Sequence, residues 1–292
     1  MKISFTKFLP ILIGSGIGSI LYFRIGWWGF LFLGLSVGGW ITVGTLIAAS
    51  QGGLKRDIGR RISILIIGLT LMIFLGVMEH ENLQIEENIF YLAFFFSGGA
   101  FTRVLIHYSV AKVFGPLLFR RGFCGWACWT AGILEWLPIK RNNPIPRKWT
   151  HLRWFMLVLS LGIPVFLLFT GYDYMTLHIH KDFGKWGQFQ WFVVSNVIYF
   201  ASAILLAYLF QKKRAFCLIL CPVSLIMKVP SSIGLLRRKP SGEKCNECGK
   251  CNRACLMDID VMACIQQGRK VNSTECILCN RCKNVCPVNA IA

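Results

Sequence analysis

Six apolar runs occupy most of the first 210 residues, and polar segments separate them. A helix needs about 20 consecutive apolar residues to cross a bilayer, and each run approaches that length. The runs extend over Phe8 to Tyr22, Trp27 to Ala49, Ile62 to Met78, Ile89 to Tyr108, Trp154 to Thr170 and Trp191 to Phe210. The pattern therefore predicts about six transmembrane helices. No small-residue cleavage pattern follows the first run, so we expect that helix to be retained.

The charged residues between the runs fall into two groups. Basic residues follow the second, fourth and sixth runs, namely Lys55, Arg56, Arg60, Arg61, Arg120, Arg121, Lys140, Arg141, Arg147, Lys148, Arg153, Lys212, Lys213 and Arg214. The opposite side receives Glu79, Glu81, Glu86 and Glu87 in one loop. Because cytoplasmic loops carry the excess of Lys and Arg, the bias predicts a multi-pass inner-membrane protein with both termini in the cytoplasm.

The composition narrows the class of protein further. Hydrophobic residues make up 55% of the 292-residue chain, more than one soluble core needs. The 32 Lys and Arg outnumber the 13 Asp and Glu, but they lie where loops meet anionic lipid. We therefore expect contact with the lipid bilayer and no nucleic-acid partner.

A duplicated cysteine pattern follows a linker at Pro240 to Gly242. The spacing C-x2-C-x2-C-x3-C occurs at Cys245, Cys248, Cys251 and Cys255, and again at Cys276, Cys279, Cys282 and Cys286. Three closely spaced thiolates wrap a cubane cluster, and in two-cluster ferredoxins the fourth ligand crosses to the other cluster. The pattern predicts two [4Fe-4S] clusters, one held by Cys245, Cys248, Cys251 and Cys286, the other by Cys276, Cys279, Cys282 and Cys255.

The alternative to clusters is structural zinc, which usually takes four ligands from two separated C-x2-C pairs. Two runs of four cysteines fit that pattern poorly. Cys264 lies outside both spacings, and we interpret it as an ordinary small buried thiol.

A second duplicated motif, R-x-F-C-x3-C, lies at the predicted membrane edge. Its copies contain Cys124 with Cys128 and Cys217 with Cys221. If each C-x3-C segment is helical, both sulfurs lie on one face, since residues four apart are neighbours. Together the two pairs predict a third iron–sulfur centre or a single iron. Packing residues or redox-active thiol pairs are the alternatives.

These motifs divide the chain into three parts: N-terminal transmembrane helices (1–110), transmembrane helices with the two C-x3-C motifs (111–240), and a ferredoxin-like domain (241–292). The predicted fold is an all-α polytopic membrane domain joined to a small α+β two-cluster bacterial ferredoxin-like domain.

From about Phe101 to its end the sequence resembles membrane-bound polyferredoxins of the NapH type, the quinol dehydrogenase membrane component of periplasmic nitrate reduction. It is also similar to the ferredoxin half of nitrous-oxide reductase maturation proteins. The resemblance rests on F-C-G-W-x-C at Phe123 to Cys128, C-x3-C-P at Cys217 to Pro222, and the paired ferredoxin motifs. Family members commonly have Pro after both C-x3-C motifs, whereas this chain has Trp129 after the first. The resemblance implies electron transfer between the quinone pool and a partner redox protein.

Two ionisable residues in the fourth run form a candidate quinone site. Arg103 and His107 are four apart and share a helical face, which we expect near the cytoplasmic end. Ionisable groups within a membrane are costly and often functional. The alternative is snorkelling toward the headgroups. His178 and His180, in a predicted outer loop, are interpreted as solvated.

The sequence thus predicts a membrane-bound iron–sulfur electron-transfer protein, a subunit of a quinol dehydrogenase complex that also binds quinone or quinol. Single-electron hopping through clusters needs no bond-making side chain, so we assign no catalytic residue. A membrane reductase of a metal ion or cofactor in enzyme maturation would use the same clusters. An iron–sulfur redox sensor is a third reading, which the absence of a separate output domain disfavours.

Overall fold

The computed structural model describes residues 5–81, 84–99, 102–172, 174 and 184–292. The described part is mostly helical. Its α-helices are α1 (Leu9–Ile25), α2 (Gly29–Ser50), α3 (Asp57–Leu71), α4 (Ile85–Phe96), α5 (Arg103–Ser109), α6 (Gly115–Phe119), α7 (Gly122–Trp126), α8 (Trp129–Leu134), α9 (Arg147–Thr150), α10 (Leu152–Phe169), α11 (Gly184–Leu209), α12 (Ala215–Ile219), α13 (Val223–Ile226), α14 (Lys228–Ser232), α15 (Lys250–Ala254), α16 (Val261–Gln266) and α17 (Arg281–Val285). Two π-helical stretches continue helices: Met72–Met78 extends α3, and Val110–Phe114 joins α5 to α6.

Four of the predicted spans are confirmed as helices long and apolar enough to cross a membrane. They are Gly29–Ser50, Asp57–Met78, Arg147–Phe169 and Phe189–Leu209. The first predicted span is a shorter apolar helix, α1, which packs closely along α2. A Cβ added at Gly14 of α1 would lie 2.3 Å from the carbonyl oxygen of Gly34 in α2. The two helices therefore approach closely because small residues line their contact.

The fourth predicted span is not one helix in the described residues, so the count of six spans is not confirmed. Helix α4 ends at Phe96, Gly98 adopts a left-handed φ of 90°, and α5 begins at Arg103. Glycine and serine are poor helix formers, and this break permits the chain to change direction. Phe90 of α4 and Leu105 of α5 then share one apolar cluster.

The α+β class predicted for the C-terminal domain is not confirmed either. Within the described residues of this domain and its linker, backbone pairing is limited to an isolated antiparallel bridge between Pro240 and Ile291. Lys239 exchanges hydrogen bonds with Ala292, at 2.8 Å and 3.5 Å. The paired segments are too short to form strands, and loops around the cysteines make up most of the domain.

Ion pairs attach the C-terminal domain to one end of the helical bundle, which we call the cluster side. Arg153 at the start of α10 contacts Glu275, and Lys212, which follows α11, contacts Asp258. Asp57 at the start of α3 contacts Arg281. Basic loops that the charge pattern assigned to one side therefore lie together at this domain.

Candidate iron–sulfur sites

The two cysteine runs of the C-terminal domain have the same backbone conformation. In the first run Glu247 and Gly249 have φ of 58° and 66°; in the second, Leu278 and Asn280 have φ of 52° and 64°. Successive turns with left-handed residues aim backbone N–H groups into a concavity that favours negative charge. The duplication seen in the sequence is thus repeated residue by residue in the fold.

The fourth cysteine of each run accepts a backbone hydrogen bond. The N–H of Ile259 donates to the Cys255 sulfur at 3.4 Å, and the N–H of Ala290 donates to the Cys286 sulfur at 3.2 Å. Such donors stabilise thiolates and are among the features that tune iron–sulfur potentials.

The eight cysteines surround two cavities. The first is lined by Cys245, Cys248, Cys251 and Cys286. The second is lined by Cys276, Cys279, Cys282 and Cys255. Apolar residues such as Met262 in the first and Val261 in the second close the walls. The structure therefore brings together the two crossed groups that the spacing predicts, while Cys264 lines neither cavity.

The arrangement of sulfurs suits clusters better than single metal ions. All thirteen cysteines are free thiols, and no three Cys, His, Asp or Glu side chains among the described residues converge closely enough to hold one ion. A cubane places its ligands farther apart than a tetrahedral zinc ion does. Burial raises the pKa of Cys255 to about 11 and that of Cys282 to about 12, so metal binding would displace their protons.

The two C-x3-C motifs at the membrane edge also share one geometry. Each begins in a five-residue helix, α7 or α12. The carbonyl of Phe123 accepts the N–H groups of Ala127 and Cys128, and the carbonyl of Phe216 accepts those of Leu220 and Cys221. The second cysteine of each pair therefore lies beyond the end of its helix. The condition that a C-x3-C segment is helical therefore holds only for its first three residues, because the helices end at Trp126 and Ile219.

We call Cys124, Cys128, Cys217 and Cys221 the membrane-edge cysteines, and the structure brings all four near one another. Cys221 is within electrostatic reach of the other three, and Cys124 lies 3.7 Å from the sulfur of Met227. Burial raises the pKa of Cys217 to about 11, although Arg214 acts in the opposite direction.

Buried cations surround this group of thiols. The ammonium nitrogen of Lys112 lies 3.4 Å from the centre of the Phe123 ring, and Lys112 is within reach of Cys124 and Cys128. Arg214 donates to the carbonyl of Cys124 at 2.9 Å and pairs with the buried Glu135. Burial alone would lower the pKa of Arg214, but Glu135 and Cys217 raise it above its ordinary value. A fixed positive charge such as the Arg214 guanidinium favours a thiolate-bound cluster over neutral thiols.

The membrane-edge motif at Cys124 touches the second ferredoxin run. A Cβ added at Gly125 would lie 2.1 Å from the carbonyl oxygen of Ile277. The indole N–H of Trp126 donates to the carbonyl of Leu278 at 3.1 Å. Glycine is therefore required at position 125, because the loop that contains Ile277 passes directly over it.

Glu275, next to Cys276, joins the two regions electrostatically. It forms ion pairs with Arg121, with Arg153 at 3.0 Å and with Lys228 at 2.6 Å. Burial alone would raise the pKa of Glu275, but Arg121 and Arg153 together lower it to about 2.

Arg103 and His107 lie at the end of the bundle opposite the cluster side, whereas the sequence pattern predicts them on the side of the basic loops. Arg103 pairs with Glu79 and Glu81, both at 3.2 Å, and His107 lies 2.8 Å from Glu81. The break before α5 explains the difference, since α5 starts at the far side and runs toward the cluster side. His178 and His180 lie outside the described residues.

Sequence reasoning missed the position of Glu86, which is half-buried between helices, with its Oε2 atom fully buried. It was interpreted as a loop residue, but it lies in the first turn of α4 and contacts α10 and α11. The signal for this position is the apolar run from Ile89 to Phe96, which begins three residues after Glu86.

Comparisons with known proteins find 4Fe-4S binding domains in two parts of this chain. A family model described as a 4Fe-4S binding domain matches residues 109–146 and 194–241, which contain the membrane-edge cysteines, and a second model of the same description matches residues 269–292. No solved structure matches the chain at a significant level.

Curated relatives are similar over much of the chain. YccM of Escherichia coli, named as an electron transport protein, is 29% identical over 61% of this chain and 52% of its own length. NirI of Paracoccus denitrificans is 26% identical over 83% of this chain and 38% of its own. The uncharacterized protein MJ0750 of Methanocaldococcus jannaschii is 25% identical over 64% of this chain and 78% of its own. The chain thus spans about half of YccM and less of NirI. The chain thus combines apolar helices long enough to cross a membrane with regions similar to 4Fe-4S binding domains, and it is similar to proteins that include a named electron transport protein.

Proposed function

We propose that this electron-transfer protein passes electrons between the quinone pool and a partner redox protein through three iron–sulfur centres. The observation that carries the proposal is the contact between the two cysteine regions at Gly125 and Ile277. This contact supports a continuous route from the membrane edge, through the second ferredoxin cavity, to the first.

The ligands follow from the grouping of the thiols. Cys245, Cys248, Cys251 and Cys286 would hold one [4Fe-4S] cluster, and Cys276, Cys279, Cys282 and Cys255 a second. The membrane-edge cysteines would hold the third centre. Each centre supplies a reversible one-electron change. The protein's own residues fix the positions of the sulfurs, donate N–H groups to them and place cations around them.

The route also suggests where each partner meets the protein. A quinone dissolves in the bilayer and would meet the membrane-edge centre, whereas a redox partner would meet the first ferredoxin cavity, farthest from the helices. The basic loops beside the ferredoxin domain support a cytoplasmic position for this domain and for both termini. A quinone role for Arg103 and His107 stays a prediction, and their ion pairs with Glu79 and Glu81 favour a structural one.

The test is reduction of the purified protein by a short-chain quinol under anaerobic conditions. The loss of cluster absorbance and electron paramagnetic resonance measure the reduction. We expect quinol to reduce the protein, or the reduced protein to reduce quinone, with about twelve irons per chain. Reduction by dithionite without any exchange with quinol or quinone would contradict the quinone proposal and leave the clusters in place. Reduction of a metal ion without quinone turnover would favour the maturation reductase instead.

A further inference from the structure

Glu86 lies near the middle of the helical bundle in depth. Its partner Ser160 is eight residues from Leu152 at the cluster-side start of α10, roughly 12 Å along the helix. Its other partner, Tyr199, is ten residues from Leu209 at the cluster-side end of α11, roughly 15 Å. Both helices are long enough to cross a membrane, so two independent measures place this carboxyl group well inside the apolar layer.

Only one of the two carboxyl oxygens of Glu86 has hydrogen-bond partners. Its Oε1 accepts hydrogen bonds from Ser160 at 2.7 Å and from Tyr199 at 3.1 Å. Its Oε2 is buried and has no hydrogen-bond partner. The described salt bridges include none to Glu86. The titratable groups that face it are Tyr108 from α5 and Tyr199 from α11, with Cys221 beyond them.

A carboxyl group in this position is unusual, because ionisable residues inside membranes are rare and usually mark proton or substrate pathways. Ser160 and Tyr199 donate hydrogen bonds to Oε1, which leaves Oε2 available to a further donor. A side chain of this kind can accept a proton and release it again.

Tyr199 connects Glu86 to the membrane-edge cysteines. The Tyr199 and Phe216 rings lie 5.5 Å apart, and the carbonyl of Phe216 accepts the N–H of Cys221 at 3.0 Å. Tyr199 and Cys221 also share one apolar cluster. The hydroxyl of Tyr108 is buried without a hydrogen-bond partner, and this residue is within electrostatic reach of both Glu86 and Cys221. A proton-accepting group thus lies one side chain from the proposed third centre.

We infer that Glu86 is the proton acceptor for oxidation of a hydroquinone beside the membrane-edge cysteines. The inference rests on the proposed quinone function and names the residue that handles its protons. A hydroquinone becomes a quinone by losing two electrons and two protons. An iron–sulfur centre held by the membrane-edge cysteines would take up the two electrons one at a time. The first proton goes to the Glu86 carboxylate, which passes it to water and then accepts the second. In the reverse direction the protonated group returns protons to the quinone.

The experiment compares the wild-type protein with Glu86→Gln, Glu86→Asp and Tyr199→Phe in nanodiscs, with decylubiquinol and menadiol as probes. Glu87→Gln is the matched control, because Glu87 is a buried carboxylate one residue away that contacts Tyr174 instead. Iron content and reduction by dithionite report folding and cluster loading. The rate of quinol-driven cluster reduction, measured from about pH 5.5 to 8.5, reports proton transfer.

We expect Glu86→Gln to lower the quinol-driven rate by about 100-fold and to remove its pH dependence, with iron content and dithionite reduction unchanged. Glu86→Asp should recover part of the rate, and Glu87→Gln should resemble the wild type. Tyr199→Phe removes a hydrogen bond and should shift the pH profile while keeping the carboxylate. It serves as the decisive variant if Glu86→Gln fails to fold.

The failures are distinguishable. The role of Glu86 alone would be overturned if Glu86→Gln had the same quinol-driven rate and pH profile as the wild type. If Glu86→Gln fails to fold, the same result for Tyr199→Phe would overturn it. If dithionite reduces the wild-type protein but neither decylubiquinol nor menadiol does, the quinone function and this inference are both overturned.

Discussion

The two duplicated cysteine motifs of this protein use repetition in opposite ways. In the ferredoxin-like domain each run of four gives three cysteines to one cavity and one to the other, so two copies enclose two cavities. At the membrane edge each copy has two cysteines, and the two copies converge on one place. Duplication therefore produces two cavities in the first region and, in our proposal, half-sites of a single centre in the second.

The difference follows from how the copies are connected. Only the 20 residues from 256 to 275 separate the ferredoxin runs, and the second run packs directly on the first through α15 and α17. The membrane-edge copies are separated by α10 and α11, so only the helical bundle brings them together. The first region is a local unit, whereas the second depends on the tertiary structure of the membrane domain.

Cys279→Ser should have the largest effect, because it removes a ligand from a compact domain whose core is the cluster itself. We expect loss of about four irons per chain and marked destabilisation of the ferredoxin-like domain, measured by iron analysis and limited proteolysis. Cys264→Ser is the control and should retain all iron. Full iron content in Cys279→Ser would contradict the assignment of this cysteine as a ligand.

Cys217→Ser tests whether the membrane-edge copies form one centre. We expect loss of about four irons with the ferredoxin signals retained in electron paramagnetic resonance, since that domain assembles locally. Quinol-driven reduction should fall below detection. If iron content and spectra match the wild type, the third centre does not exist and the two regions differ more than we propose.

Gly125→Ala tests the contact between the regions. The added methyl group would lie 2.1 Å from the Ile277 carbonyl oxygen, so the loops must separate, at a cost of about 1–3 kcal/mol. We expect a lower thermal unfolding midpoint and slower transfer from the membrane edge to the ferredoxin clusters. Gly162→Ala is the matched control, because nothing lies within 4 Å of its added Cβ. Identical behaviour of the two variants would show that the contact is unimportant.

Glu275→Gln should have the smallest effect. The pKa of Glu275 is lowered from 4.5 to about 2, so its ionisation stabilises the folded state above about pH 4.5, and this contribution is lost as the pH falls toward 2. We expect the variant to be less stable at neutral pH by at most about 3 kcal/mol. Its unfolding midpoint should also depend less on pH between about 5 and 3 than that of the wild type. A parallel pH dependence in both proteins would mean that Glu275 does not couple the regions.

The local part of this picture could be predicted from the sequence, and the long-range part could not. The crossed groups of Cys286 and Cys255 could be predicted from the spacing together with the ligand pattern of two-cluster ferredoxins. The break between Phe96 and Arg103 was missed, since hydropathy reports whether residues are apolar and not whether the helix continues. The same error placed Arg103 and His107 at the wrong end of the bundle and Glu86 in a loop.

By itself, the sequence determined that the protein has apolar helices, basic loops and two cysteine runs whose spacing suits 4Fe-4S clusters. These features depend on residues close together in the chain, where covalent connection limits the conformations. The tertiary structure alone decided that the membrane-edge cysteines converge, that Gly125 meets Ile277, and that Glu86 lies inside the bundle beside Tyr199. Such contacts join residues far apart in the chain, and helix packing rather than local spacing determines them.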